Sequence, residues 1–242
     1  FIFSTDFLVP TKSLKGIKSV LLVFPHADDE VLHTGGINRL LSQQGSKITL
    51  VVLTKGEKGT PNAHFDAKLK AIRTQEAKDA AKIQGITKLI QEDFGDGELT
   101  NKKAQLKKYI EGVLKEVKPD LVITYDQAGL YGHEDHVATS EVVTELIKDS
   151  YKSISLWYVS FPKRLLAMAT LPEHMAKDPE FKKKRVNPNI KVFIGWNIIP
   201  TIQAVYVYKS QYDSFRNSVP MKPIPLWFFY SMWLWEYFHV EN

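Results

Sequence analysis

Three segments, "IKSVLLVF" (17–24), "KITLVVLT" (47–54) and "DLVITY" (120–125), are near-continuous apolar runs. A strand with one wet face alternates apolar and polar residues. Runs such as these need cover on both faces, which is the pattern of a parallel sheet with helices above and below. Helical spacing fills the intervals: 31–44 ending near Gly45, 66–84 closed by Gly85, 101–117 stopped by Pro119, and a further helix through about 148. A short strand near 87–91 and another over 153–161 complete the alternation. The pattern predicts an α/β fold, a Rossmann-like three-layer sandwich with a mostly parallel sheet. The chain has 242 residues and neither an internal repeat nor a low-complexity linker. It reads as a single domain over 1–242, with its core at about 17–160 and a less regular part at 161–242.

The chain contains no cysteine, which excludes disulfides, thiolate nucleophiles and Cys-ligated metals. Net charge is +5, and the one dense basic run is "KKKR" (182–185). A single short run reads as a solvated loop face, so no nucleic-acid partner is expected. No apolar run reaches the roughly 18 residues of a spanning helix. The start, "FIFSTDFLVP", has no methionine and reads as trimmed or processed. The compartment, cytoplasmic or cell-envelope-associated, stays open, as does the oligomeric state. Residues 162–190, rich in Lys and Pro, read as a functional loop or lid. The aromatic end "PIPLWFFYSMWLWEYF" (223–238) reads as a helix or strand packed on the domain. Its Trp and Tyr content also suits peripheral contact with a membrane interface.

In open α/β sheets, ligands bind at the carboxyl ends of strands. Three polar clusters fall there: "PHADDE" (25–30), "FGDGEL" (94–99) and "YDQAGLYGHEDH" (125–136). Carboxylates crowded at a strand end repel one another and lose solvation, and a metal ion would offset both costs. His26 and Asp29 are three apart across a strand-to-helix turn, and His133 and His136 are three apart at a helix start. With no cysteine, a catalytic zinc would take two His and one carboxylate plus a water. His26, Asp29 and one of His133 or His136 supply that set, and spacing does not choose between the two histidines. Asp28 would then stand beside the bound water as general base, its alternative being a helix cap. Glu30 reads as a supporting group or first-turn dipole partner. The histidine left over would face a developing oxyanion and a leaving amine, with Asp135 orienting it.

"PHADDE", with "GHEDH" a hundred residues later, resembles the zinc-dependent N-acetylglucosaminyl deacetylases of the LmbE-like or PIG-L family. The family's usual motifs are H-P-D-D-E and H-x-D-H, joined by a helix with R-x-x-E-x-x-x-A, which "RTQEAKDA" (73–80) fits, and a D-x-x-L step, which "DGEL" (96–99) resembles. Ala27 stands where the family has proline. The motifs cover residues 20–137 and the resemblance is weak beyond about 160. It implies His26, Asp29 and His136 as ligands of one Zn2+, for which another divalent transition metal would substitute. Asp28 matches the general base. His133, supported by Asp135, matches the imidazole that stabilises the oxyanion and protonates the amine. Arg73 and Asp96 match sugar-binding positions, and Tyr131 a mobile tyrosine near the acyl carbonyl. The alternatives are a surface ion pair with Glu76 for Arg73, a turn position for Asp96 and a packed loop aromatic for Tyr131.

The implied activity is removal of acetyl from an N-acetylglucosamine-containing glycoconjugate or oligosaccharide. The alternative is a non-catalytic sugar-binding homologue of the same fold. A dinucleotide oxidoreductase lacks its G-x-G-x-x-G, and three acids repel pyrophosphate. A magnesium phosphoesterase is disfavoured by the histidines, since magnesium prefers oxygen ligands.

Overall fold

A computed structural model describes residues 5–59, 65–163, 180–219 and 224–241. Seven strands form one sheet: β1 (Ser19–Phe24), β2 (Lys47–Val52), β3 (Lys88–Gln91), β4 (Leu121–Tyr125), β5 (Ser155–Val159), β6 (Ile190–Phe193) and β7 (Trp235–Glu241). Their order is β3-β2-β1-β4-β5-β7-β6. The first five are parallel, and β7 runs antiparallel to both β5 and β6. The apolar runs behave as their composition requires. Val20, Leu22 and Phe24 enter one core and Leu21 and Val23 the other, and all five are buried. Each such side chain contributes roughly 1.5–3 kcal/mol by leaving water.

Helices α1 (Asp29–Gln43), α2 (Ala67–Gln84) and α5 (Ile198–Val207) cover the first face. Helices α3 (Lys103–Val117) and α4 (Glu134–Ser150) cover the second. The expected three-layer arrangement is therefore present. α2 starts where Asp66 accepts hydrogen bonds from the amides of Lys68 and Leu69, and ends at Gly85 in the left-handed conformation. α1 begins two residues earlier than its apolar spacing suggests, which puts Asp29 and Glu30 in its first turn.

The part after residue 160 is more integrated than its sequence implies. β6 and β7 extend the sheet, and α5 lies across α1. Gly35 and Gly36 permit this crossing: a Cβ on Gly35 would meet Thr201 at 2.7 Å, and one on Gly36 would meet Ile194 at 2.5 Å. Glu236 of β7 accepts hydrogen bonds from the amides of Gly36 and Ile37 at 2.7 and 2.9 Å, tying the new strand to the same helix. Most of the aromatic end thus packs on the domain. Tyr237 and Phe238 are buried in β7, and Leu226 is buried in the short helix α6 (Leu226–Ser231). Trp227 and Phe228 stay 53% and 44% exposed. Of the expected 162–190 loop, residues 164–179 lie outside the described residues. In "KKKR", Lys183 and Lys184 are exposed, while Arg185 donates to the Leu130 carbonyl at 2.6 Å. Among the described residues no helix is long and apolar enough to cross a membrane.

Candidate metal-dependent active site

The chain runs from β1 outward to β2 and β3, then returns to place β4 on the other side of β1. This reversal opens a crevice at the carboxyl ends of β1 and β4. "PHADDE" follows β1 and "YDQAGLYGHEDH" follows β4, so the topology joins two clusters a hundred residues apart.

Their donor atoms converge. His26 Nδ1 lies 3.3 Å from His136 Nε2. The Asp29 carboxylate spans the pair, with one oxygen 3.7 Å from His26 Nδ1 and the other 3.6 Å from His136 Nε2. Two nitrogens held at about 2.0–2.1 Å in tetrahedral geometry would be about 3.4 Å apart, so the His26–His136 spacing fits a shared ion. His133 is a further nitrogen donor within 4.8 Å of both histidines.

The opposite side of His26 fixes its tautomer. Nε2 faces Asp135 Oδ2 and Asp96 Oδ1, each at 3.1 Å. A proton on Nε2 satisfies these carboxylates and leaves the Nδ1 lone pair toward His136 and Asp29. Asp135 is itself held by the amides of Gly97 and Leu99 at 2.7 and 3.0 Å. Asp96 accepts from the Lys58 amide at 2.9 Å. Asp96 is therefore more than a simple turn residue. It is buried behind His26. Asp135 also departs from its expected place, since its carboxylate bonds His26. Its link to His133 is its backbone amide, 3.2 Å from His133 Nδ1, together with charge attraction.

Asp28 occupies the cap position of α1 but makes no side-chain capping bond, and its backbone is left-handed at φ 107°. The helix-cap alternative therefore fails. Its side chain is 14% exposed against 6% for Asp29, so it is the acid nearer the crevice. Arg73 Nη2 stands 3.3 Å from Asp28 Oδ2 and also donates to the Ala27 carbonyl. Glu76, the alternative surface partner for Arg73, instead accepts from the amide and hydroxyl of Ser210. Glu30 Oε2 accepts from the Asp28 amide at 3.0 Å, and Glu30 Oε1 accepts from Tyr208 Oη at 2.8 Å. Glu30 thus supports Asp28 from behind, as anticipated, through a tyrosine that the sequence did not single out.

Tyr125 is a second residue without a motif. Its hydroxyl donates to Asp29 at 2.6 Å, and its ring stacks on His136 at 4.1 Å and 7°. Its position as the last residue of β4 was the available signal. Tyr131 is half-buried with its ring 5.0 Å from that of His136, which places it beside the donor set.

Electrostatics favour a cation here. Burial pushes Asp28 up to about 7, opposed by Arg73 and reinforced by Asp29. Burial also raises Asp29 and Glu30, partly offset by His26 and Tyr208 respectively. Burial alone would lower His26, but Asp96, Asp135 and Asp29 outweigh it and hold it well above its ordinary value. His136 is pushed well down by burial, then by the charges of His133 and His26, which leaves it neutral. Five carboxylates (Asp28, Asp29, Glu30, Asp96 and Asp135) thus meet few positive groups. A divalent ion bound in place of the second His26 proton, beside the neutral His136, would relieve that surplus.

The family model described as "PIG-L: GlcNAc-PI de-N-acetylase" matches residues 21–147, more than half of the 242 residues. The chain is 36% identical over 139 residues to a Bacillus anthracis protein named "Probable N-acetyl-alpha-D-glucosaminyl L-malate deacetylase 2", covering 55% of this chain and 61% of that one. It is 34% identical over 122 residues to diacetylchitobiose deacetylase of Thermococcus kodakarensis, covering 50% and 45%. The chain thus spans about half to three-fifths of the length of these curated relatives. The solved structure of N,N'-diacetylchitobiose deacetylase from Pyrococcus horikoshii superposes with a TM-score of 0.67 over 99% of this chain and 88% of that one, at 21% identity, which shows a shared fold. The span matched by the family model holds most of β1, all of β4 and both ends of the convergent His–Asp cluster, and the chain belongs to the PIG-L family, GlcNAc-PI de-N-acetylase.

Proposed function

We propose that the chain is a metal-dependent amidohydrolase that removes the acetyl group from an N-acetylglucosamine-containing substrate, releasing acetate and a glucosamine derivative. The observation that carries this reading is the pairing of the His26–Asp29–His136 donor set with an uncapped, left-handed Asp28 beside it. Deacetylases of this family are metal-dependent, and with two imidazoles and one carboxylate the ion proposed is Zn2+. When bound, zinc would lower the pKa of a water and polarise the acetamide carbonyl.

The chain's own residues then divide the work. Asp28, turned toward the crevice by Arg73 and Glu30, takes a proton from the attacking water. The water oxygen forms the new bond to the acetamide carbon. His133 Nδ1 accepts the Asp135 amide, so in the neutral ring Nε2 carries the proton and donates to the developing oxyanion. Protonating His133 at Nδ1 would break that cap. We therefore assign delivery of the proton to the leaving amine to Asp28 instead of to His133. Asp28 returns the proton it took, the C–N bond breaks, and acetate and the amine leave. Tyr131 closes the acyl side, and Arg73 acts on the substrate by orienting Asp28.

Metal analysis of purified protein by plasma mass spectrometry, with acetate release measured across N-acetylglucosaminides, tests the reading. Asp28→Asn lowers turnover by roughly 100-fold or more with metal content unchanged. Near-normal turnover in that variant removes Asp28 as base, and a protein that takes up no metal removes the mechanism. Peripheral membrane contact is assigned in this reading to the exposed Trp227 and Phe228. Unchanged vesicle co-sedimentation of Trp227→Ser would overturn that contact.

A further inference from the structure

An unbroken row of ring contacts leads away from the donor set. Tyr125, which stacks on His136, meets His33 at 5.4 Å between centroids. His33 meets Phe161 at 5.6 Å, Phe161 meets Trp233 at 5.8 Å, and Trp233 meets Phe229 at 5.9 Å. Phe161 lies just past the carboxyl end of β5, beside the end of β4, so the row runs along the edge where ligands of such sheets bind. From His33 outward its rings are half-buried. The row ends in α6, whose Trp227 and Phe228 reach solvent.

Among the described residues the row itself carries no charged ring. Burial pushes His33 down to about 3, and its Nδ1 is enclosed without a hydrogen-bond partner, so it sits there as a neutral ring. Phe161, Phe229 and Trp233 all lie outside residues 21–147, the span matched to the family. The donor set falls within the shared part of the chain, whereas this wall belongs to the remainder.

We propose that the row is a subsite for an apolar aglycone, so that the preferred substrate is an N-acetylglucosaminide carrying an aliphatic or aromatic group on its anomeric oxygen. The inference rests on the deacetylation reading only for the acetyl group, since the subsite binds the group on the anomeric oxygen and not the acetamide. Each methylene taken out of water strengthens binding by up to about fourfold. A hexyl group on a half-buried wall is therefore expected to give roughly tenfold or more over methyl.

Calorimetry on metal-loaded full chain with hexyl and methyl 2-amino-2-deoxyglucoside, kept below micellar concentrations, measures the subsite without turnover. Acetate release from the two N-acetylated glycosides measures the reaction. The expected result is at least tenfold tighter binding of the hexyl compound and a matching preference in kcat/KM. Phe161→Ala and Trp233→Ala bring both ratios to within about twofold, and Trp233→Phe retains most of them. Equal affinity for hexyl and methyl compounds in the unmodified protein overturns the subsite, as does a ratio that survives both alanine variants. A hexyl preference in binding with no acetate from either glycoside leaves the subsite standing and overturns the deacetylation reading.

Discussion

Replacing Tyr208 with Phe removes one oxygen and should be felt both in stability and at Asp28. Tyr208 is fully buried, and its hydroxyl donates to Glu30 Oε1 at 2.8 Å. Phenylalanine fills the same space, so no cavity opens. What is lost is a hydrogen bond to a buried carboxylate, worth about 1.5–3 kcal/mol. Gln84 Nε2, 3.3 Å from the same oxygen, remains as a weaker donor. A destabilisation of about 2 kcal/mol follows, which at this chain length lowers Tm by roughly 4–8 °C. The second effect runs through Glu30. Its other oxygen holds the Asp28 amide at 3.0 Å, and Asp28 has φ 107°, a conformation costing a non-glycine residue on the order of 1–3 kcal/mol. With Glu30 less firmly held, the Asp28 carboxylate is less well aimed, and kcat should fall about tenfold with KM within about twofold. Thermal unfolding and steady-state acetate release on one preparation measure both. A variant that loses stability but keeps full kcat refutes the positioning argument. One that keeps both refutes the assigned hydrogen bond.

Three further outcomes follow from the packing and charges described above. Gly36→Ala gains about 1 kcal/mol of helix propensity but drives a Cβ to 2.5–2.7 Å from Ile194, and such overpacking typically costs about 1–3 kcal/mol; a lowered Tm is expected, and a raised one would show that α1 and its neighbour do not meet so closely. Asp28 must be ionised to take a proton, and burial places its pKa at about 7 without a metal, so kcat/KM should rise with pH through a limb no higher than about 7, which a bound divalent ion lowers. Arg73 is the largest charge opposing that rise, so Arg73→Gln should move the limb to higher pH, and a downward move would sever the proposed link.

Much of the architecture was legible along the chain because its causes are local. Strand runs with no polar face require cover on both sides, and Asp66 and Gly85 mark the ends of α2 by their own side chain and backbone. The candidate site was legible for a related reason. His26 and Asp29, like His133 and His136, sit at spacings that one turn or one helix face brings together. Asp28 was harder. Its residue type suits a cap or a base equally, and only its backbone conformation and its approach to Arg73 separate the two. The alternative of an Arg73–Glu76 pair could not be settled along the chain, because helical spacing says which residues share a face and not what lies opposite that face.

The sequence by itself determined that these acids and imidazoles would stand at the ends of buried parallel strands, since apolar patterning and short-range spacing settle both matters. Only the tertiary structure decided which groups hold them there. Tyr125 reaches Asp29 across 96 positions and Tyr208 reaches Glu30 across 178, and β7 enters the sheet beside β5 from the far end of the chain. No local pattern encodes such contacts, because an isolated tyrosine or aromatic strand suits many neighbours equally well. Packing of the whole chain selects among them.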